Sequence, residues 1–137
     1  MYKYKRPESL DFPQIYYTFN VKDKNSDKIV EYRVQDVPVK YFELVADFMV
    51  NHFLPDETLC ASRSVPEKPT AVEEFRTFWL ETLKEKTSIG CFKNDESDEL
   101  VGANVLLVNS KDDKNEDNVS WNNILITLTP RVFVTKP

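Results

Sequence analysis

The chain has 137 residues, 41% of them hydrophobic and 30% charged, with nine phenylalanines, six tyrosines and two tryptophans. That is enough apolar mass for one globular domain with a core and too much for a disordered chain. The formal net charge of −5 disfavours binding to a phosphate backbone, and only two glycines, Gly90 and Gly102, leave no glycine-rich loop to cradle a nucleotide.

Met1-Tyr2-Lys3-Tyr4-Lys5-Arg6 is basic, but no apolar stretch follows it, so it does not read as a signal peptide. No apolar run is long enough for a bilayer span. Cys60 and Cys91 form no C-x-x-C pair. These features predict a cytosolic (cytoplasmic) protein with reduced thiols.

Residues 15–21 are β-branched and aromatic and predict a strand. After a polar turn at 22–27, residues 28–35 alternate, with Val30, Tyr32 and Val34 on one face, so the two runs predict a hairpin. Asp36 and Pro38 then have the chemistry of a helix N-cap and an early helical proline. Tyr41, Phe42, Val45, Phe48, Met49 and Phe53 follow at helical spacing, and Pro55 is expected to end that helix.

Residues 56–69 read as a loop with a helical turn near Leu59. Thr70 and Glu73 form a T-x-x-E capping box before a second helix, whose stripe is Val72, Phe75, Phe78, Trp79 and Leu83. Strands at 88–92 and 99–108, joined by an acidic turn at 93–98, predict a second hairpin. Gly102 inside a strand predicts a bulge or a close backbone approach. Beyond a charged stretch at 111–118, residues 120–135 are strand-prone. The edge of strand 99–108 is an aggregation risk, and a soluble monomer is expected if residues 123–129 cover it.

The order strand, helix, helix, hairpin carries a resemblance. With Phe53-Leu54-Pro55-Asp56-Glu57-Thr58-Leu59, Tyr32-Arg33-Val34-Gln35-Asp36-Val37-Pro38, Gly90-Cys91-Phe92 and Leu100-Val101-Gly102-Ala103-Asn104, residues 28–110 resemble the N-terminal half of GNAT-type N-acetyltransferases, in particular the insect arylalkylamine branch and its D-E-P-L motif. Thr58 stands where that motif has proline. The resemblance implies an α+β, GNAT-like fold that is incomplete. It divides the chain into an N-terminal extension with a strand at 1–27, the half-domain at 28–110, and an acidic loop with a non-family tail at 111–137.

In that family the glutamate corresponding to Glu57 is a general base. A primary amine is mostly protonated near neutral pH and must lose a proton to attack a thioester, and a carboxylate within reach can take it. Phe53, Leu54, Pro55 and Leu59 are the apolar residues that the resemblance places near the amine, and each also reads as a packing residue. His52 reads as a helix-end surface residue, Cys60 as a loop or core thiol with no base to ionise it, and Asp112–Asp117 as a solvated acidic loop. No ligand-spaced histidines or cysteines point to a metal.

The resemblance implies acetyl-CoA as co-substrate and a small primary amine, of arylalkylamine or polyamine type, as acceptor. The strand that would hold the pantetheine arm, the glycine loop for the pyrophosphate and the later serine or tyrosine acid are not found in residues 111–137. The expectation is therefore a truncated acetyltransferase. The alternative is a non-catalytic domain that binds an amine or a protein partner.

Overall fold

The computed structural model describes residues 5–108. The expected tail at 111–137 lies outside these. Strand β1 (Ile15–Lys22) pairs antiparallel with β2 (Ile29–Asp36), β2 with β3 (Ile89–Lys93), and β3 with β4 (Leu100–Asn104), in the order β1-β2-β3-β4. Both expected hairpins are present. Val21 faces Val30 and Phe19 faces Tyr32 across the first, where Tyr17, Phe19 and Tyr32 stack at centroid distances of 5.9 and 5.6 Å.

A 3-10 turn (Val39–Tyr41) leads into α1 (Phe42–Phe48), a π-helical turn (Met49–Phe53) and α2 (Leu54–Asp56). Then come α3 (Thr58–Ser62), a second 3-10 turn (Val65–Glu67) and α4 (Pro69–Lys84). Among the described residues no helix is long and apolar enough to cross a membrane.

Four expectations need correction. Asp36 is not a helix N-cap; it ends β2, 1% exposed, and the cap position before the 3-10 turn is Pro38. Pro55 does not stop the first helix. A proline ring collides with the carbonyl four residues earlier in an α-helix, but here the helix has widened into a π turn, with Leu54 N–H donating to the Met49 carbonyl. The helical path runs on until Glu57 turns extended (φ −74°, ψ 123°).

The capping box at Thr70 does not form. Pro69 already occupies the first turn, Lys68 is the cap residue without a side-chain bond, and Thr70 lies inside α4. Finally, β4 ends at Asn104 rather than at residue 108.

The core joins one face of the sheet to the helices. Phe92 and Leu100 cluster with Val37, Phe42, Val45, Met49, Leu54, Trp79, Leu83 and Val105. The α4 stripe turns inward as its spacing predicts, with Trp79 and Leu83 buried and Val72, Phe75 and Phe78 packed beside them.

The bulge expected at Gly102 sits one residue away: Cys91 faces Gly102 and Phe92 faces Leu100, so Val101 has no opposite. The close approach is at Gly90. A Cβ there would lie 2.8 Å from Phe92 Cε2 and 3.1 Å from Leu100 Cδ1, whereas one at Gly102 would meet nothing within 4 Å. Phe92 has little room to yield, because Tyr41 packs edge-on at 5.0 Å and the Arg33 guanidinium lies 5.2 Å from its ring centre. Gly90→Ala is therefore expected to lose about 2 kcal/mol through overpacking, and Gly102→Ala less than about 0.5 kcal/mol. Urea unfolding of the two variants checks the contrast.

Candidate functional site

Glu57 stands at the junction between α2 and α3 because Pro55 and the π turn deliver the chain there in an extended conformation. The Glu57 side chain then caps α3, its Oε2 accepting the Cys60 main-chain N–H at 2.7 Å. The residue is half-buried. Burial pushes its carboxyl upward, but the main-chain N–H groups of Cys60 and Leu59 and the Cys60 thiol outweigh this, so it lies below the ordinary value and Glu57 is an anion at neutral pH.

Burial, then the hydrogen bond to Glu57 and its charge, push the Cys60 thiol up to about 11. That keeps Cys60 protonated, as a non-nucleophilic loop thiol should be.

The four apolar residues expected near an amine separate into kinds. Leu54 is 0% exposed and belongs to the core. Phe53 is half-buried and meets Trp79 edge-on at 6.0 Å. Pro55 is exposed and Leu59 is 61% exposed. Leu59 and Pro55 are thus the apolar groups near Glu57 in sequence that a ligand can reach from solvent, and Leu54 can only support them from beneath. His52 is exposed, with its ring tilted against Phe48 at 5.3 Å. A surface groove of about 570 Å³ runs along the first turns of α4, lined by Pro69, Thr70, Glu73, Glu74 and Thr77, and includes none of these residues.

Two charged clusters went unseen in the sequence. Asp98, in the β3–β4 turn, pairs with Arg33 of β2 and with Lys40 Nζ at 2.8 Å, while the Tyr41 hydroxyl reaches its carbonyl at 2.7 Å and its Oδ2 at 2.8 Å. The hydrogen bonds from Lys40 and Tyr41, with Arg33 beside them, hold its carboxyl well below the usual range despite partial burial. Asp36 binds Arg6 through both oxygens (3.1 and 2.8 Å), the Gln14 N–H (2.9 Å) and the Tyr16 hydroxyl (2.8 Å). Both clusters join residues tens of positions apart, which no local pattern reveals.

No glycine loop for a coenzyme diphosphate occurs among the described residues, since Gly90 and Gly102 both lie within strands. The residues present therefore do not fit that part of acetyl-CoA; what they offer is the outer edge of β4, the last strand in the described sheet. Among the described residues no cluster of histidine, cysteine, aspartate or glutamate could hold a metal ion.

No family model and no curated protein matches the sequence. A crystal structure does: an insect protein described as arylalkylamine N-acetyltransferase 7, from the yellow fever mosquito, aligns at TM-score 0.74 with 33% identity over 84% of this chain and 48% of that one. This chain is therefore GNAT-like, its α+β fold is a partial one, and it spans about half the length of the protein it matches.

Proposed function

We propose that this GNAT-like chain is the amine-accepting part of an N-acetyltransferase, one that moves acetyl from acetyl-CoA to a small primary amine of arylalkylamine or polyamine type. The observation that carries this reading is the Glu57 carboxylate, fixed as an anion at the start of α3 with exposed Leu59 two residues on. An ammonium group can meet the charge while its ring or chain lies on Leu59, Pro55 and the exposed part of Phe53.

Magnitudes limit what Glu57 does. An alkylammonium has a pKa of about 10 and an ordinary glutamate about 4.3. Full proton transfer before reaction would be uphill by roughly 8 kcal/mol, and more with the Glu57 carboxyl depressed. Glu57 therefore docks the cation and accepts its proton as the nitrogen is acylated, when that proton is far more acidic.

The test incubates the purified chain with acetyl-CoA and a panel of arylalkylamines and polyamines and follows free thiol; release that depends on Glu57 establishes the reading. Glu57→Gln should lower the rate by a factor on the order of 100 or more. Equal rates in both proteins would rule Glu57 out as the base.

A second reading is a non-catalytic domain that binds an amine or a protein partner. It is favoured by the placement of both glycines inside strands, which leaves no glycine loop for a coenzyme diphosphate among the described residues. No thiol release and no calorimetric signal on adding coenzyme A would select it.

A further inference from the structure

We infer that the outer edge of β1 is a self-association surface, on which a second copy of this chain pairs antiparallel and continues the sheet. The sequence draws attention to the opposite edge, at β4. The strand order leaves β1 without a partner on its outer side as well, among the described residues.

Two main-chain bonds show which groups face outward. The Asp23 N–H donates to the Lys28 carbonyl at 2.9 Å, toward β2, and the Asn94 N–H donates to the Glu31 carbonyl at 2.9 Å, on the side of β2 away from β1. Residues in an antiparallel ladder turn their main-chain groups alternately to one neighbour and to the other. Phe19 and Val21 therefore bond to β2, while Asn20, opposite Glu31, and Thr18 turn their N–H and C=O groups to the open edge.

Such an edge is a template for another strand unless charge, proline or a bulge blunts it. The bulge between Ile15 and Tyr17 disturbs only the start of β1. From Tyr17 to Val21 the strand holds no charge and no proline. Arg33 lies opposite core Phe92, so its neighbour Tyr32 points to the other face of the sheet, away from the helices. Tyr17, Phe19 and Val21 share that face, with Tyr17 65% and Val21 43% exposed. Open hydrogen-bonding groups and apolar side chains thus lie on one strand.

The edge is complementary to itself. A two-fold axis through the sheet at Phe19 keeps like faces together. It sets Thr18 against Asn20 of the other copy, where they exchange main-chain bonds, and Tyr17 against Val21. Aromatic and β-branched pairs of this kind stabilise a ladder. Charge permits the pairing, because Lys22 is the one charged residue of β1. The two Lys22 side chains would stand about 20 Å apart along the ladder, beyond the screening length of about 8 Å. A two-fold contact also closes on itself, so it yields a dimer rather than a fibre.

Size sets the strength. The exposed parts of Tyr16, Tyr17 and Val21, with the strand edge, offer roughly 400 Å² per copy, about half of a standard interface. The dimer is therefore weak and reversible, with a Kd on the order of 100 µM.

Sedimentation equilibrium of the full chain from about 10 µM to about 1 mM tests this. The average mass should rise toward twice that of one chain. Asn20→Pro removes an outward N–H and leaves the β2 ladder intact, so it should weaken association roughly tenfold or more. Thr18→Lys brings like charges to diagonal positions across the axis and should weaken it too, less so in high salt. Far-UV circular dichroism confirms folding, and the lysine variant keeps the test decisive if the proline variant does not fold. A chain that stays monomeric throughout would overturn the inference. So would a dimer that a folded variant leaves unweakened, which would put the contact elsewhere, as on the edge of β4. Association that continues past two copies would overturn the two-fold pairing. The readout is mass, so it stands apart from the amine reading.

Discussion

Asp36→Ala is expected to lose about 3–5 kcal/mol, enough to leave much of the chain unfolded if its stability is typical of a small domain. Asp36 is 1% exposed and holds two elements together. Its carboxylate takes Arg6 on both oxygens, the Gln14 N–H and the Tyr16 hydroxyl, while its own N–H donates to the Gln14 carbonyl at 3.0 Å.

Arg6 spans further, to the Lys86 carbonyl at 3.0 Å and the Asp11 carbonyl at 2.8 Å. Deleting the carboxylate leaves a guanidinium whose side chain is 11% exposed without its counter-ion, and its Nε already lacks a partner. Most of the loss should come from that stranded charge rather than from the bonds themselves. The double variant Arg6→Met with Asp36→Ala should accordingly be more stable than Asp36→Ala alone. Urea unfolding of the four proteins in a cycle measures this. A single-variant loss below about 1 kcal/mol would mean that the N-terminal segment is not held as described.

Asp36 also marks where sequence reading reaches its limit. An aspartate two residues before a proline, at the end of an alternating run, has the same local signature whether it caps a helix or closes a strand. What decides is Arg6, thirty positions back, and no window reaches it. Elements with their own period were legible: alternation gave β2, and the Val72-Phe75-Trp79-Leu83 spacing gave α4.

Pro55 misled because its penalty assumes an α-helix, and the π turn at Met49–Phe53 changes the carbonyl it would meet. Gly102 drew attention as a glycine in a strand, while Gly90, also in a strand, is the one against a ring. Glycine identity alone does not say which neighbour is close.

The candidate site was legible through one short motif and only in part. Residue type and the D-E-x-L order singled out Glu57. Its capping of α3 and its contact with Cys60 depend on the backbone turning extended at residue 57. The apolar residues around it could not be sorted by sequence, because leucine serves core and surface alike. Burial separates them: Leu54 is fully enclosed and Leu59 mostly open.

Asp98→Ala is expected to lose about 3 kcal/mol at neutral pH, and the loss should shrink in acid. Asp98 ties the β3–β4 turn to β2 through Arg33 and to the start of the first helix through Lys40 and Tyr41. Arg33 is 12% exposed on its side chain. It also donates to the Lys93 carbonyl at 2.9 Å and to Gln35 Oε1 at 2.6 Å, so it keeps some partners when Asp98 is lost. Asp98 itself is 31% exposed, which places the cost below that of Asp36.

The hydrogen bonds from Lys40 and Tyr41, and then Arg33, depress the folded-state carboxyl far below the unfolded value of about 3.9. A depressed acid contributes stability that is complete above the unfolded value and is lost as pH falls toward the folded one. The gap between the native chain and Asp98→Ala should therefore be constant above about pH 5 and narrow steadily below pH 4.

Backbone strain needs a separate control, because Asp98 has φ +50°. Alanine is strained there and glycine is not, so Asp98→Gly should be the milder of the two by about 1 kcal/mol while showing the same pH dependence. If Asp98→Gly were as stable as the native chain at pH 7, the turn would owe its position to backbone geometry and the three-way charge cluster would be incidental.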